Sequence, residues 1–485
     1  MTFSIADAQR VRDAAETAVR DLHAPGVAIG VVAGDDLVFA EGFGFADIEA
    51  RRKQDPGLRQ RIGSITKTMV GLCAMALVDE GKLDLDERLS AHIPELKFHG
   101  DGQAITIRHL LTHTSGIGEA AMPDEIREID KTLWSDAPDK DVLGLFSRGV
   151  TIEVPPGSKW SYANLGFALL GEIVARSEGL PIGEILRRRI FAPLDMANSD
   201  LLDVPNPDLA TGYHHVPNAD ARELAARSGT ELPKETPVDG HNIRGTYKYI
   251  RGGGAAGAVQ STIYDMARYA SLLLRRGAGI VKSETFDAMT SRQWSHDPRM
   301  EGWGLSFQLL TRFGLQMFGH GGGVHGGWNS MLLVVPARNT ALIVHCNASF
   351  DGFEKLVSRV LAALLDAPRP TLSGTASAEL LASAPGVYEA IPGALTNFRV
   401  MGALGRLQIK AHDGRLTLHS RRGRWKKGVP LFLAADGNNA FFLAGDDDLE
   451  PGHVILTCDD TGAVTGLLCE RLVRMVKTTT TAPWA

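Results

Sequence analysis

Apolar and polar positions recur with two different periods along this chain, and the changes of period divide it into segments. Residues 1–22 (MTFSIADAQRVRDAAETAVRDL) carry charges from Asp7 onward and predict an amphipathic helix. Residues 26–32 (GVAIGVV) and 37–45 read as two strands joined at Gly34-Asp35-Asp36. Late in the chain, MLLVVP from Met331 and ALIVHC ending at Cys346 predict a second hairpin around Pro336-Ala337-Arg338-Asn339. Pairing these hairpins makes one antiparallel sheet from distant segments. Between them the pattern is mostly helical, over roughly 64–80, 140–148, 165–178, 182–191 and 262–276. Residues 68–83 are apolar-rich, with Gly81 as the helix stop.

A different texture begins after residue 365. Residues 366–385 (DAPRPTLSGTASAELLASAP) are rich in Ala, Ser, Thr and Pro and read as a linker. Beyond Gly386-Val387-Tyr388 come short alternating runs at 407–409, 416–418, 431–433 and 454–457. Turn signals separate them at Asp413-Gly414, Asp436-Gly437 and Thr461-Gly462. That is the pattern of a small antiparallel barrel or curved sheet. The expected fold class is therefore α+β, an antiparallel sheet flanked by helices with an all-helical region beside it and a cleft between the two. The expected domains are 1–365, a linker at 366–385, and a barrel at 386–485.

Composition narrows the functional classes. With 485 residues, 44% of them hydrophobic, the chain can bury a large core and holds more than one domain. The net charge of −6 comes from well-mixed acidic and basic residues, with no basic stripe for nucleic acid. Cys73, Cys346, Cys458 and Cys469 are few and scattered and read as free thiols. The N-terminus has no apolar signal core, and no apolar run reaches bilayer-spanning length. A cytoplasmic location follows, or a periplasmic one if a signal peptide has been removed.

Three motifs carry candidate chemistry. Ser64-Ile65-Thr66-Lys67 is the chain's single Ser-x-x-Lys and opens the apolar helix. Orphan N–H groups and the positive dipole end there favour a developing anion. An amine one turn along can accept the hydroxyl proton if burial keeps part of it neutral. Alone the tetrapeptide is weak, because Ser is a common N-cap and Lys a common helix residue. Tyr162-Ala163-Asn164 follows the turn at Pro155-Pro156-Gly157 and precedes another helix. A phenol near a lysine can act as a general base, and the Asn amide can orient the lysine and hold a substrate carbonyl. By itself this pair reads as a core-edge aromatic and a helix cap. His320-Gly321-Gly322-Gly323 precedes the late hairpin, where glycines let a substrate backbone approach and free a backbone N–H as an oxyanion donor. His320 and His325 lack a carboxylate or cysteine partner at metal-ligand spacing, so no metal and no cofactor is expected. Gly252 to Gly257 satisfies G-x-G-x-x-G but lacks the leading strand and the following acidic residue of a dinucleotide site. No G-x-S-x-G elbow is present.

In this order the three motifs resemble those of the serine β-lactamase-like hydrolases. The likeness is to the class C-like branch, with its D-aminopeptidases, D-alanyl-D-alanine carboxypeptidases and family VIII esterases. Leu110-Leu111-Thr112-His113-Thr114-Ser115-Gly116, Pro193-Leu194-Asp195-Met196 and residues 255–269 extend it, over roughly 10–360. The resemblance implies Ser64 as nucleophile, Lys67 as its proton partner and Tyr162 as general base or acid. It implies Asn164 binding the substrate amide, with His320, Gly322 and Gly323 also at the substrate and the N–H groups of Ser64 and Gly323 as oxyanion hole. The Lys-Thr-Gly of typical β-lactamases is replaced here by His320-Gly321-Gly322, which removes a permanent cation and resembles aminopeptidases and esterases more than efficient lactamases. The barrel resembles the lipocalin-like appendage of D-aminopeptidases, serving as packing, an oligomerisation surface or a wall limiting substrate size. The expected activity is a serine peptidase or amidase on small peptides or amides, with homo-oligomers possible. A short-chain carboxylesterase, a β-lactamase and an acylated sensor are the alternatives. His113 reads as capping or packing within the loop at 112–118, with substrate contact as the lesser alternative, Trp328 as either acyl-pocket lining or core, and 206–242, with Tyr213-His214-His215, as a long loop that is either a substrate-shaping lid or simply mobile.

Overall fold

The computed structural model describes residues 3–117, 134–201, 204–216, 237–349, 352–368, 371–390, 406–421, 425–434, 439–443, 449, 452–469 and 473–478. They form two compact units. The first takes in most of the chain up to Asp366, and the second holds 367–485 together with Trp160–Tyr162 and Trp294–Gly302.

The first unit is built on an eight-stranded sheet. Its strands are β1 (Gly26–Ala33), β2 (Asp36–Asp47), β3 (Arg52–Lys53), β4 (Gly302–Trp303), β5 (Gln308–Arg312), β6 (Leu315–Val324), β7 (Trp328–Val335) and β8 (Thr340–Cys346). Their order is β4-β5-β6-β7-β8-β1-β2-β3. Antiparallel pairing of β1 with β8, Val27 opposite Cys346 through Ala33 opposite Thr340, joins the early and late hairpins as the sequence pattern predicts. Alternation along these strands sends their side chains into two cores. Val27, Ile29, Val31, Leu342 and Val344 meet α1 (Ile5–Asp21) and α7 (Phe353–Leu365). Ala28, Val32, Leu332, Val334 and Ile343 meet the helices on the other face.

Those helices include α2 (Thr66–Asp79), α3 (Ile107–Leu111), α4 (Asn164–Glu178), α5 (Ile182–Leu186) and α6 (Ile263–Leu274). α2 is buried on every side from Thr66 to Leu77, which its near-continuous apolar sequence requires. α4 ends at Gly179 in the left-handed conformation, a glycine C-cap. α6 is capped by Thr262, whose side chain accepts from Asp265 N. The helix expected over 140–148 is reduced to a 3-10 turn at Leu143–Phe146. There Asp141 accepts the Gly144 N–H, and Gly149 takes a positive φ that stops propagation. Within the stretch expected as linker, Ala378–Ser383 forms a short helix capped by Ser377, in keeping with its Ala, Glu and Leu content. No helix among the described residues is long and apolar enough to cross a membrane.

The second unit carries a closed antiparallel barrel of eight strands, from Gly386–Ala390 through Val473–Lys477. Its buried cluster holds Tyr388, Leu407, Leu418, Trp425, Phe441 and Leu456, so side chains fill it. Met300 packs with Ala440, Ile455 and Leu468, and Arg299 donates to Asn439 Oδ1 at 3.0 Å. Trp294 in turn stacks on Trp160, with ring centroids 6.1 Å apart. Cys73 and Cys346 are buried free thiols, Cys469 is buried, and Cys458 is exposed.

His345 on β8 is fully buried, and burial alone pushes it down to about 3. Neither of its ring nitrogens has a hydrogen-bond partner among the described residues. An unfolded chain binds that proton near pH 6.5, whereas the folded one resists it until about 3. The unfolded state therefore holds more protons across this window, and stability falls as the pH drops below about 6.5. His345→Leu removes both the orphan donor and the titration. Thermal unfolding should show a Tm at pH 7.5 equal to or above wild type, and a smaller Tm loss between pH 7.5 and pH 5. An unchanged pH dependence contradicts this account.

Candidate active site

Ser64 lies in a 3-10 turn, Gly63–Ile65, at the entrance to α2. It is the partly exposed residue in a run otherwise buried from Gln60 to Leu77. The turn depends on Gly63, whose φ of +54° suits glycine. A Cβ on Gly63 would also lie 2.7 Å from the backbone N of Gly323 on β6. The serine turn and the glycine strand are thus in backbone contact. Ser330 Oγ on β7 adds to this junction by donating to Ile62 O at 2.7 Å.

Lys67, one turn into α2, is 0% exposed. Its Nζ donates to Ser64 Oγ at 2.9 Å, to Asn164 Oδ1 at 2.8 Å and to the carbonyl of Ala256. Its ammonium also stands 5.7 Å from the Phe167 ring centre. The candidate residues Ser64, Lys67 and Asn164, remote in sequence, are therefore brought into one hydrogen-bonded set. Asn164 is the first residue of α4, and Tyr162 precedes it by two positions, with its ring 6.2 Å from that of Trp160. Ala256 comes from the glycine run 252–257, where Gly257 lies alongside Gly63. A backbone carbonyl has no sequence signature.

On β6, His320 is 4% exposed and its Nδ1 lies 2.5 Å from Gly321 O. A carbonyl only accepts, so Nδ1 carries the proton. Burial, and then the Lys67 cation, push this histidine down to about 3. His320 is therefore uncharged at neutral pH. The paired part of β5 begins at Gln308, opposite Gly319, so residues 320–324 run on past it. Gly323 is exposed on this stretch.

Several expectations resolve structurally. Trp328 is core, 2% exposed, with Nε1 donating to Ala210 O at 3.1 Å. Tyr213–His215 forms a short strand in the segment expected as loop, and residues 217–236 of that segment lie outside the described residues. His113 is buried, and its ring accepts a hydrogen bond from Ala163 N. The sequence pattern also missed Arg61, fully buried with its guanidinium 4.4 Å from the Tyr247 ring centre, and Trp303, edge-on to His320.

Comparison with known proteins identifies the family of the first unit. The Beta-lactamase family model matches residues 11–366. Esterase EstB from Burkholderia gladioli is 28% identical over 226 residues, 45% of this chain and 57% of that protein. Other curated relatives are spanned to about a third of their length, at 35%. The octameric penicillin-binding protein homologue from Pyrococcus abyssi covers 97% of this chain and 100% of its own, with a TM-score of 0.61 at 23% identity. A D-stereospecific amidohydrolase from Streptomyces sp. covers 73% of this chain and 98% of its own, with a TM-score of 0.58 at 25% identity.

The junction between turn and strand is testable. A Cβ on Gly322 would collide with Ile62 O and Ser330 Oγ, whereas the atom nearest to one on Gly321 is Met331 Cε at 3.4 Å. Gly322→Ala should cost about 1–3 kcal/mol in urea unfolding and displace the serine turn, while Gly321→Ala should be close to neutral. Equal stability of the two variants contradicts this packing.

Proposed function

The chain belongs to the beta-lactamase family, and on that premise we propose that it is a serine hydrolase forming an acyl-enzyme on Ser64, with small peptides or amides as its substrate class. The observation that carries the reading is the 2.9 Å hydrogen bond between Lys67 Nζ and the partly exposed Ser64 Oγ. Ser64 Oγ attacks the substrate carbonyl carbon as the Lys67 ammonium takes up the Oγ proton and hands one of its own to a deprotonated Tyr162, whose phenol then protonates the leaving nitrogen as the C–N bond breaks. Water then gives up a proton to the same groups, its oxygen bonds to the acyl carbon, and the ester bond breaks to return the proton to Oγ. The N–H groups of Ser64 and Gly323 hold the oxyanion in both steps, a role supported by the backbone contact at Gly63.

Asn164 turns its Oδ1 to Lys67 and has an amide donor end suited to a substrate carbonyl. The stretch 320–324, beyond the paired part of β5, gives a substrate backbone somewhere to lie, and its glycines permit the approach. His320 is neutral at physiological pH and offers no cation to a substrate carboxylate. The proton relay makes amide cleavage feasible, because an amine anion does not leave unprotonated. The likeness to the D-stereospecific amidohydrolase supports the same substrate class.

Paired assays test this. Wild type and Ser64→Ala are compared on p-nitrophenyl butyrate and on L- and D-aminoacyl p-nitroanilides. Anilide turnover should fall at least about 10³-fold in Ser64→Ala, with the surviving series showing the stereochemical preference. Lys67→Ala should lower kcat on the order of 10²- to 10⁴-fold. Turnover of the ester alone makes the protein an esterase, and Ser64→Ala matching wild type removes the nucleophile assignment.

A further inference from the structure

His113 sits where its ring governs the start of α4. It follows α3 and its C-cap Thr112, in a loop tied down on both sides. Thr112 Oγ1 donates to Arg108 O at 2.8 Å, Thr114 N to His109 O at 2.9 Å, and Gly157 N to Thr114 O at 2.7 Å. Within this loop His113 takes a φ of +56°, a left-handed conformation that costs free energy for a residue with a side chain. That conformation aims the ring inward, where it is 1% exposed. Its face meets Phe167, centroids 5.1 Å apart, and Trp303, 4.9 Å apart. Its Nδ1 accepts the backbone N–H of Ala163 at 3.0 Å.

Ala163 is the middle residue of Tyr162-Ala163-Asn164. One peptide unit thus joins His113 to the candidate base on one side and to the Lys67 partner on the other. We propose that His113 is a positioning residue, whose Nδ1 fixes the Ala163 peptide and through it the directions in which Tyr162 and Asn164 project. The proposal rests on the reading of Ser64, Lys67, Tyr162 and Asn164 given above. An atom that accepts from an N–H carries no proton of its own, so the ring is the Nε2–H tautomer. Burial, then the Lys67 cation and His320, hold His113 well below the usual histidine range, so the acceptor persists at neutral pH without placing a charge beside Lys67. A ring so enclosed, with Nδ1 committed to the backbone, serves as a fixed acceptor rather than a proton carrier.

The test uses three variants. In His113→Asn, Oδ1 stands near the place of Nδ1, and Asn tolerates a positive φ. His113→Gln reaches the Nε2 position instead, and His113→Phe keeps the ring without an acceptor. Rates on the best substrate of the panel above are normalised to sites titrated with a fluorophosphonate, so that a fall in folded protein is not read as a fall in kcat. His113→Asn should stay within about threefold of wild type in kcat, while His113→Gln and His113→Phe should fall on the order of 10²-fold with KM little changed. Hydrogen exchange of peptides covering 160–167 should quicken in His113→Gln and His113→Phe and stay slow in His113→Asn.

If His113→Phe does not fold, the Asn and Gln pair carries the comparison. Wild-type kcat in His113→Gln, or equal losses in Asn and Gln, overturns the proposal. So does a displaced limb of the pH–rate profile in His113→Asn, because it makes the imidazole a proton carrier. Activity surviving in Ser64→Ala sinks the nucleophile assignment alone, and the exchange measurement then decides the role of His113 independently.

Discussion

The architecture around the candidate site turns on the burial of one amine. Lys67 is enclosed at the centre of the first unit, and an enclosed ammonium is tolerable only where polar partners replace its water. Ser64 Oγ, Asn164 Oδ1 and Ala256 O do so, and they arrive from three distant stretches of chain. The helix α2, the start of α4 and the glycine run at 252–257 are therefore held in mutual register by a single nitrogen. The glycines follow from the same constraint. Gly63 must let the serine turn touch Gly323, while Gly257 lies alongside that turn, where a Cβ would sit 3.4 Å from Gly63 C.

The cation also sets the charge state of its surroundings. His113 and His320 both lie within its field and inside the apolar interior, and both effects disfavour a proton on imidazole. Their hydrogen bonds then select opposite tautomers, Nε2–H for His113 and Nδ1–H for His320. Two histidines flanking a lysine contribute fixed dipoles rather than further positive charge. That distinction gives chemical meaning to the third motif, since a lysine at the position of His320 would bring a second cation to the strand edge.

Much of the first unit was legible in the sequence because its signals are local and periodic. The strand pairs at 26–45 and 331–346 are apolar runs punctuated by turn residues, and their pairing follows from the need to bury both faces. Ser64, Lys67 and Asn164 stood out as motif residues, and the structure places their side chains within hydrogen-bond reach. What stayed hidden depends on backbone atoms or on context. Ala256 acts through its carbonyl. Trp328 gave no sign of which of two environments it occupies until its indole was seen donating to Ala210 O. The 140–148 pattern was helical in its apolar spacing, yet glycines and an Asp side chain competing for backbone N–H groups left a single 3-10 turn.

The Tyr-x-Asn motif shows a deeper reason why periodicity falls short. The peptide bond between Tyr162 and Ala163 is also the point where the chain passes from one compact unit to the other. Tyr162 packs with Trp160, which stacks on Trp294, whose segment is anchored on the barrel by Met300 and Arg299, while Ala163 and Asn164 answer to His113 and Lys67. Neither allegiance is written in residue spacing, because each is decided by aromatic and polar partners 50 or more positions away along the chain. A motif of three residues can therefore be read from sequence as chemistry while the forces that orient its two ends remain a property of the folded chain.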